Sequence, residues 1–101
     1  MAQPYWTDNM MTELDLKKEF GVSVKQERKR QRLSQETLAE RAGLHRTYVT
    51  DIECGTRNPS LESIFKLADA LGIKASALFE RIEGMRLPRP NGIATAVASE
   101  S

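Results

Sequence analysis

The stretch from Ser34 to Gly55, SQETLAERAGLHRTYVTDIECG, decides the fold. Ser34 stands before Gln35-Glu36-Thr37-Leu38, a capping hydroxyl followed by an acid where the helix dipole favours one. Leu38, Ala39 and Ala42 share a face of a helix over 35–42. Val49 and Ile52, three apart, mark a second helix over 46–54. Gly43 and Gly55 follow these helices, where glycine adopts left-handed geometry without a steric penalty. Between them lies a tight turn, Gly43-Leu44-His45. Small Ala39 lets the two helices approach closely, and Leu44 plugs the gap beneath the turn.

The same signals extend outward. Pro59-Ser60 precedes Leu61-Glu62-Ser63-Ile64, a second capping hydroxyl with an acid in the first turn. Leu61, Ile64, Ala68 and Leu71 form the stripe of a helix over 61–71, with Gly72 after it. Leu78, Phe79 and Ile82 define a last helix over 75–83, followed by Gly84. Upstream, Leu16, Phe20 and Val24 are spaced by four and predict a helix over 16–32. Gly21 lies inside that pattern and leaves a start near Ser23 as the alternative. No stretch alternates as a strand does, so the expected fold is all-α: a compact bundle of five short helices over 16–84. Residues 1–15, with Tyr5 and Trp6, read as a flexible arm, and 85–101 as a disordered tail.

A chain of 101 residues is one small domain near the lower size at which a hydrocarbon core stands without staples. One cysteine, Cys54, excludes a disulfide framework within the chain. With His45 it cannot supply the clustered ligands of a structural zinc site, so no cofactor is expected. Neither a run of 18 apolar residues nor a signal-peptide pattern is present, which predicts a soluble, cytoplasmic protein with no membrane partner. No Gly-rich phosphate loop and no pair of catalytic carboxylates supports an enzyme.

The net charge of +1 conceals a distribution. Asp8, Glu13 and Asp15 make the start acidic, with no Lys or Arg among the first 15 residues. From Lys17 to Arg57, ten basic residues outnumber six acids, and the remainder balances. A basic middle suits a polyanionic partner. Most of the run Lys25, Lys29, Arg30 and Arg32 reads as a solvated face, with one or two members steering the protein toward DNA.

Two short helices joined in this way are the layout of a helix-turn-helix, whose second helix lies in the DNA major groove. Residues from about Phe20 to Phe79 resemble the Xre/Cro-type helix-turn-helix family of phage repressors and bacterial regulators, with its lambda-repressor-like fold. Within that family, His45-Arg46-Thr47-Tyr48-Val49, Ile52-Glu53 and Arg57-Asn58-Pro59-Ser60-Leu61 look most like the controller proteins of restriction-modification systems.

The resemblance implies roles. Arg28 and Glu53 match the family's buried ion pair, in keeping with Arg28 lying one turn beyond Val24. Gln35 matches a position that contacts the DNA backbone at a positive helix N-terminus. With Val49 and Ile52 inward, Arg46, Thr47, Tyr48, Thr50 and Asp51 are expected outward. Arg46 has the fork for guanine O6 and N7, Thr47 suits a thymine methyl or a phosphate, Tyr48 suits backbone contact or stacking, and Thr50 a further base. Asp51 fits three roles: accepting from a cytosine amine, holding an arginine, or sitting at the rim. Arg57 and Asn58 fall in the loop that approaches phosphate, though Asn-Pro also favours a turn. His45 departs from the usual Ser, Thr or Asp cap and is expected to cap less well.

Leu78, Phe79 and Ile82, with Leu67 or Ile64 beside them, exceed what so small a core needs. The resemblance makes the last helix a two-fold dimer interface. The expected function is therefore a homodimeric regulator of bacterial or phage origin on double-stranded DNA, reading an inverted repeat at its own promoter. RNA polymerase is a further candidate partner, through acids such as Glu36 and Glu40. The competing reading is an antitoxin or interaction module that binds a protein through its termini.

Overall fold

The computed structural model describes residues 13–86, with side chains over 16–84. The expected arm, including Tyr5 and Trp6, and the tail beyond residue 86 lie outside the described residues. Five helices follow one another: α1 (Glu13–Arg30), α2 (Gln35–Ala42), α3 (Arg46–Cys54), α4 (Leu61–Leu71) and α5 (Ala75–Arg86), with no strand among the described residues. The three middle helices run over the spans the sequence predicts. No helix is long and apolar enough to cross a membrane among the described residues.

Local chemistry sets the boundaries. The Ser34 hydroxyl accepts from the Thr37 N–H at 3.0 Å, and Ser60 repeats this with Ser63 at 3.1 Å, satisfying a donor in each first turn. Gly43 and Gly72 close α2 and α4 in the left-handed region at φ 71° and 69°. Gly84 departs from the expected pattern: it lies inside α5, which continues to Arg86. His45 caps α3 through its backbone alone, with no side-chain hydrogen bond, as its residue type suggests.

Gly21 does not delay α1, which begins at Glu13 and runs straight through it. The reason is packing. A Cβ at Gly21 would stand 2.2 Å from the Ile52 carbonyl oxygen and 2.7 Å from that of Glu53. At Gly55, which also needs its φ of 80°, a Cβ would stand 2.7 Å from Lys18 Cα. Two glycines therefore let the backbone of α1 settle on the end of α3, and the helix-propensity cost of Gly21 is outweighed by that approach.

The core collects one face of each helix: Phe20 and Val24 from α1, Leu38, Ala39 and Ala42 from α2, Val49 and Ile52 from α3, Leu67, Ala68 and Leu71 from α4, Leu78 and Ile82 from α5. α1 packs on α3 and α5, and α2 on α3 and α4. Leu44 packs against this core from the turn, as its plugging role requires.

Two expectations about apolar faces are corrected here. Leu78 and Ile82, assigned to a dimer interface, are 1% and 4% exposed and fill the chain's own core. Phe79 beside them is half-buried, its ring 5.3 Å from that of Phe20. α5 covers α1 to close so small a bundle, and this takes Leu78 and Ile82 into the core. Conversely Leu61, placed in the α4 stripe, is 72% exposed, and Phe65 one turn later is 52% exposed.

Candidate nucleic-acid interface

Helix α3, the second of the helix-turn-helix, is gripped from behind before it offers anything to a ligand. Val49 and Ile52 are fully buried, which fixes its rotation. At its far end Glu53, also buried, accepts from Arg28 Nε at 2.7 Å and from Nη2 at 3.0 Å, a bidentate pair between α1 and α3. The remaining Arg28 nitrogen, Nη1, donates to the Leu33 carbonyl at 2.7 Å. The Glu53 hydrogen bond raises the Arg28 pKa above its ordinary value against the opposing effect of burial, so the guanidinium stays charged.

The network then runs forward to α2. Gln35 Nε2 donates to Glu53 Oε1 at 2.9 Å, and Thr50 Oγ1 donates to Gln35 Oε1 at 2.9 Å. One carboxylate thus orients the Gln35 amide, and that amide holds the middle of α3. Sequence reasoning placed Gln35 and Thr50 separately and missed their bond. Thr50, expected outward, is half-buried with its hydroxyl engaged.

Tyr48 is corrected in the same way. The sequence predicts it outward, yet it packs partly buried against the core and its hydroxyl accepts from the Ser60 N–H at 3.2 Å. Arg57 lies over its ring, 5.2 Å from the centroid, a cation–π arrangement. Burial pushes the Tyr48 phenol up, but the hydrogen bonds of Ser63 and Ser60 and the Arg57 charge outweigh it, and the pKa lies below the ordinary tyrosine value. Arg57 also forms an ion pair with Asp51 at 3.6 Å, both side chains partly exposed.

Arg46 and Thr47 remain exposed at the first turn of α3, with His45 before them; Arg57 and Asn58 are exposed in the following loop. Arg46 lines a shallow cleft of 330 Å³ with Arg28, Ser34, Gln35 and Glu36. That cleft sits at the N-terminus of α2, where backbone N–H groups point outward and the helix dipole favours an anion. The geometry therefore supplies a rigid helix with a planar cation and a hydroxyl at its tip, beside a place for a phosphate.

The comparisons with known proteins agree. The helix-turn-helix family profile HTH_3 matches residues 24–78. The control protein C.BamHI of Bacillus amyloliquefaciens is 48% identical over 62 residues, covering 60% of this chain and 76% of that protein. The control protein C.MunI of Mycoplasma sp is 46% identical over 70 residues, covering 68% of this chain and 95% of that protein. Among solved structures, the restriction-modification controller protein C.AhdI from Aeromonas hydrophila has a TM-score of 0.62 at 48% identity, covering 62% of this chain and 96% of that one. From α1 to α5 the chain belongs to the Xre/Cro-type helix-turn-helix family of DNA-binding transcriptional regulators, and it is similar within it to restriction-modification control proteins.

Proposed function

We propose that the chain acts as a homodimer on an inverted-repeat operator at its own promoter, as the controller of a restriction-modification operon. The observation that carries the DNA reading is the exposed pair Arg46 and Thr47 on a helix held rigid by the Arg28–Glu53–Gln35–Thr50 network. Arg46 reads guanine, Thr47 meets a thymine methyl or a phosphate, and Gln35, Arg57 and Asn58 position the backbone. Tyr48, Thr50 and Asp51 serve by holding these groups. The similarity to control proteins supports the operon assignment.

The exposed α4 face supports the dimer. Leu61 and Phe65 lie one turn apart, and Phe65 borders a shallow depression of 690 Å³ with Ile73 and Ala75 on its wall and Asp69 and Lys74 among its polar residues. An apolar patch with one acid and one lysine is self-complementary about a two-fold axis. Covering Leu61 and Phe65 contributes roughly 1–2 kcal/mol each. A dimer of this kind presents two recognition helices to half-sites about 34 Å apart. Footprinting of DNA upstream of the gene, paired with light scattering of the complex, tests the reading. Two protected half-sites on one dimer are expected; a monomer protecting a single half-site overturns it.

A further inference from the structure

One feature of α1 has no part in the fold or in the recognition site: a row of cations along its outer face. Lys18, Lys25 and Lys29 are seven and four residues apart, which returns each to nearly the same side of a helix with 3.6 residues per turn. Arg32 continues the line in the turn that follows, where its φ of 60° ends the helix. All four side chains are exposed and none forms an ion pair among the described residues. The described acids of the same helix are occupied elsewhere: Glu19 holds Arg81 of α5 at 2.9 Å, and Glu27 is paired with Arg30. Among the described residues the charge of the row is therefore uncompensated, and it extends over about 16 Å from Lys18 to Lys29.

The position of the row is fixed relative to α3. The missing Cβ atoms of Gly21 and Gly55 bring α1 down onto the end of the recognition helix, with Lys18 Cα against Gly55. Arg28, on the flank of α1 next to the row, is locked to Glu53. A rigid strip of positive charge thus stands just beyond the C-terminal end of the helix whose first turn carries Arg46.

We infer that Lys25 and Lys29, with Lys18 and Arg32 extending the line, form a second DNA-backbone contact that holds phosphates flanking the half-site. This rests on the DNA-binding reading above and deepens it: α3 reads sequence, and the α1 row adds sequence-independent affinity and lengthens the footprint. The chemistry fits, because duplex DNA carries about one charge per 1.7 Å of axis, so a strip of this length faces several phosphates. Lysines suit such a contact, since a compact ammonium on a flexible stem needs no fixed partner geometry.

The test is a salt titration of the double variant Lys25→Gln/Lys29→Gln against wild type. The probes are the footprinted upstream duplex with ten extra base pairs on each side, the same duplex trimmed to the half-sites, and a random-sequence duplex. Loss of two phosphate contacts reduces the slope of log K against log salt by about 1.8, so between 50 and 200 mM salt wild type loses about twelve-fold more affinity than the variant. The difference is expected on the extended and random duplexes and not on the trimmed one, with the ratio of specific to random binding unchanged. Lys66→Gln on α4 serves as the net-charge control. An unchanged slope overturns the inference, as does an equal loss per charge for Lys66→Gln or an equal loss on the trimmed duplex. Failure of the wild type to prefer the upstream duplex instead overturns the DNA reading itself. Circular dichroism melts of the Lys25→Gln/Lys29→Gln variant are expected to match wild type, since both side chains are exposed and unpaired among the described residues, while Lys66→Gln loses only its surface pair with Glu62 and shifts little.

Discussion

Arg28 and Glu53 meet guanidinium to carboxylate through two hydrogen bonds, 2.7 and 3.0 Å long, although 25 residues separate them in the chain. Both side chains are buried, and Glu53 also accepts from Gln35. Removing either partner strands a charge away from water, at a cost of about 3–5 kcal/mol. Glu53→Ala is therefore expected to lower the urea midpoint severely. The paired replacement Arg28→Met with Glu53→Leu recovers most of that stability but takes away the acceptor of the Gln35 amide nitrogen, so DNA affinity stays low. Urea melts and binding titrations of the three proteins check this; a Glu53→Ala variant within 1 kcal/mol of wild type contradicts it.

Two glycines separate close approach from simple helix propensity. At Gly21 a Cβ meets backbone oxygen of α3 at 2.2 Å, whereas at Gly84 nothing lies within 4 Å. Gly21→Ala is expected to destabilise by at least about 2 kcal/mol through forced separation of α1 and α3. Gly84→Ala in α5 is expected to stabilise by about 0.5–1 kcal/mol, because alanine loses less backbone entropy in a helix. Thermal melts of the two variants should move in opposite directions.

Leu78 and Phe65 separate core from surface. Leu78 is 1% exposed, so Leu78→Ala opens a cavity and costs about 2–5 kcal/mol. Phe65 is half-exposed on α4, so Phe65→Glu leaves the monomer fold nearly intact. If α4 forms the dimer surface, the same change shifts sedimentation from dimer to monomer at micromolar concentration. A Phe65→Glu protein that stays dimeric places the interface elsewhere.

Glu27 gives a pH dependence of known sign. Its hydrogen bonds to Arg30 and Gln31 hold its carboxyl below the ordinary 4.5 in spite of partial burial, and Gln31 also donates to the Leu71 carbonyl at the end of α4. A carboxyl whose folded pKa is depressed contributes stability above its unfolded pKa and loses it as pH falls through the folded value. Because Arg30 is exposed, solvent screening keeps that contribution small. Glu27→Gln is expected to lower stability slightly at pH 7, and by progressively less as pH falls below 4.5. Equal losses at neutral and at acid pH would exclude the ion pair as the cause.

The helix-turn-helix was legible because its signals are local: Ser34, Gly43 and Gly55 act on the backbone within a turn of themselves, and Leu38, Val49 and Ile52 repeat with the helix. The Arg28–Glu53 pair emerged through family resemblance, since no periodicity links positions so far apart. What escaped the sequence was geometry between elements. The Gln35–Thr50 bond depends on how α2 and α3 cross, and the Tyr48–Ser60 bond on where a loop returns. The apolar stripes of α4 and α5 look alike as strings, yet Leu78 is buried and Leu61 is exposed. A signal for the second case was present: Leu61, Ile64, Phe65, Leu67, Ala68 and Leu71 span a wider arc of α4 than one core face occupies.

The most direct measurement is a competition titration of wild type and Arg46→Ala on the upstream duplex and on a random duplex of equal length. Arg46 is exposed and forms no bond that the fold needs, so the variant should melt as wild type does. A loss of about 1–3 kcal/mol is expected on the upstream duplex, about five-fold to more than a hundred-fold, with far less change on the random one. Equal affinity of both proteins for the upstream duplex would contradict the reading of this helix as the element that recognises sequence.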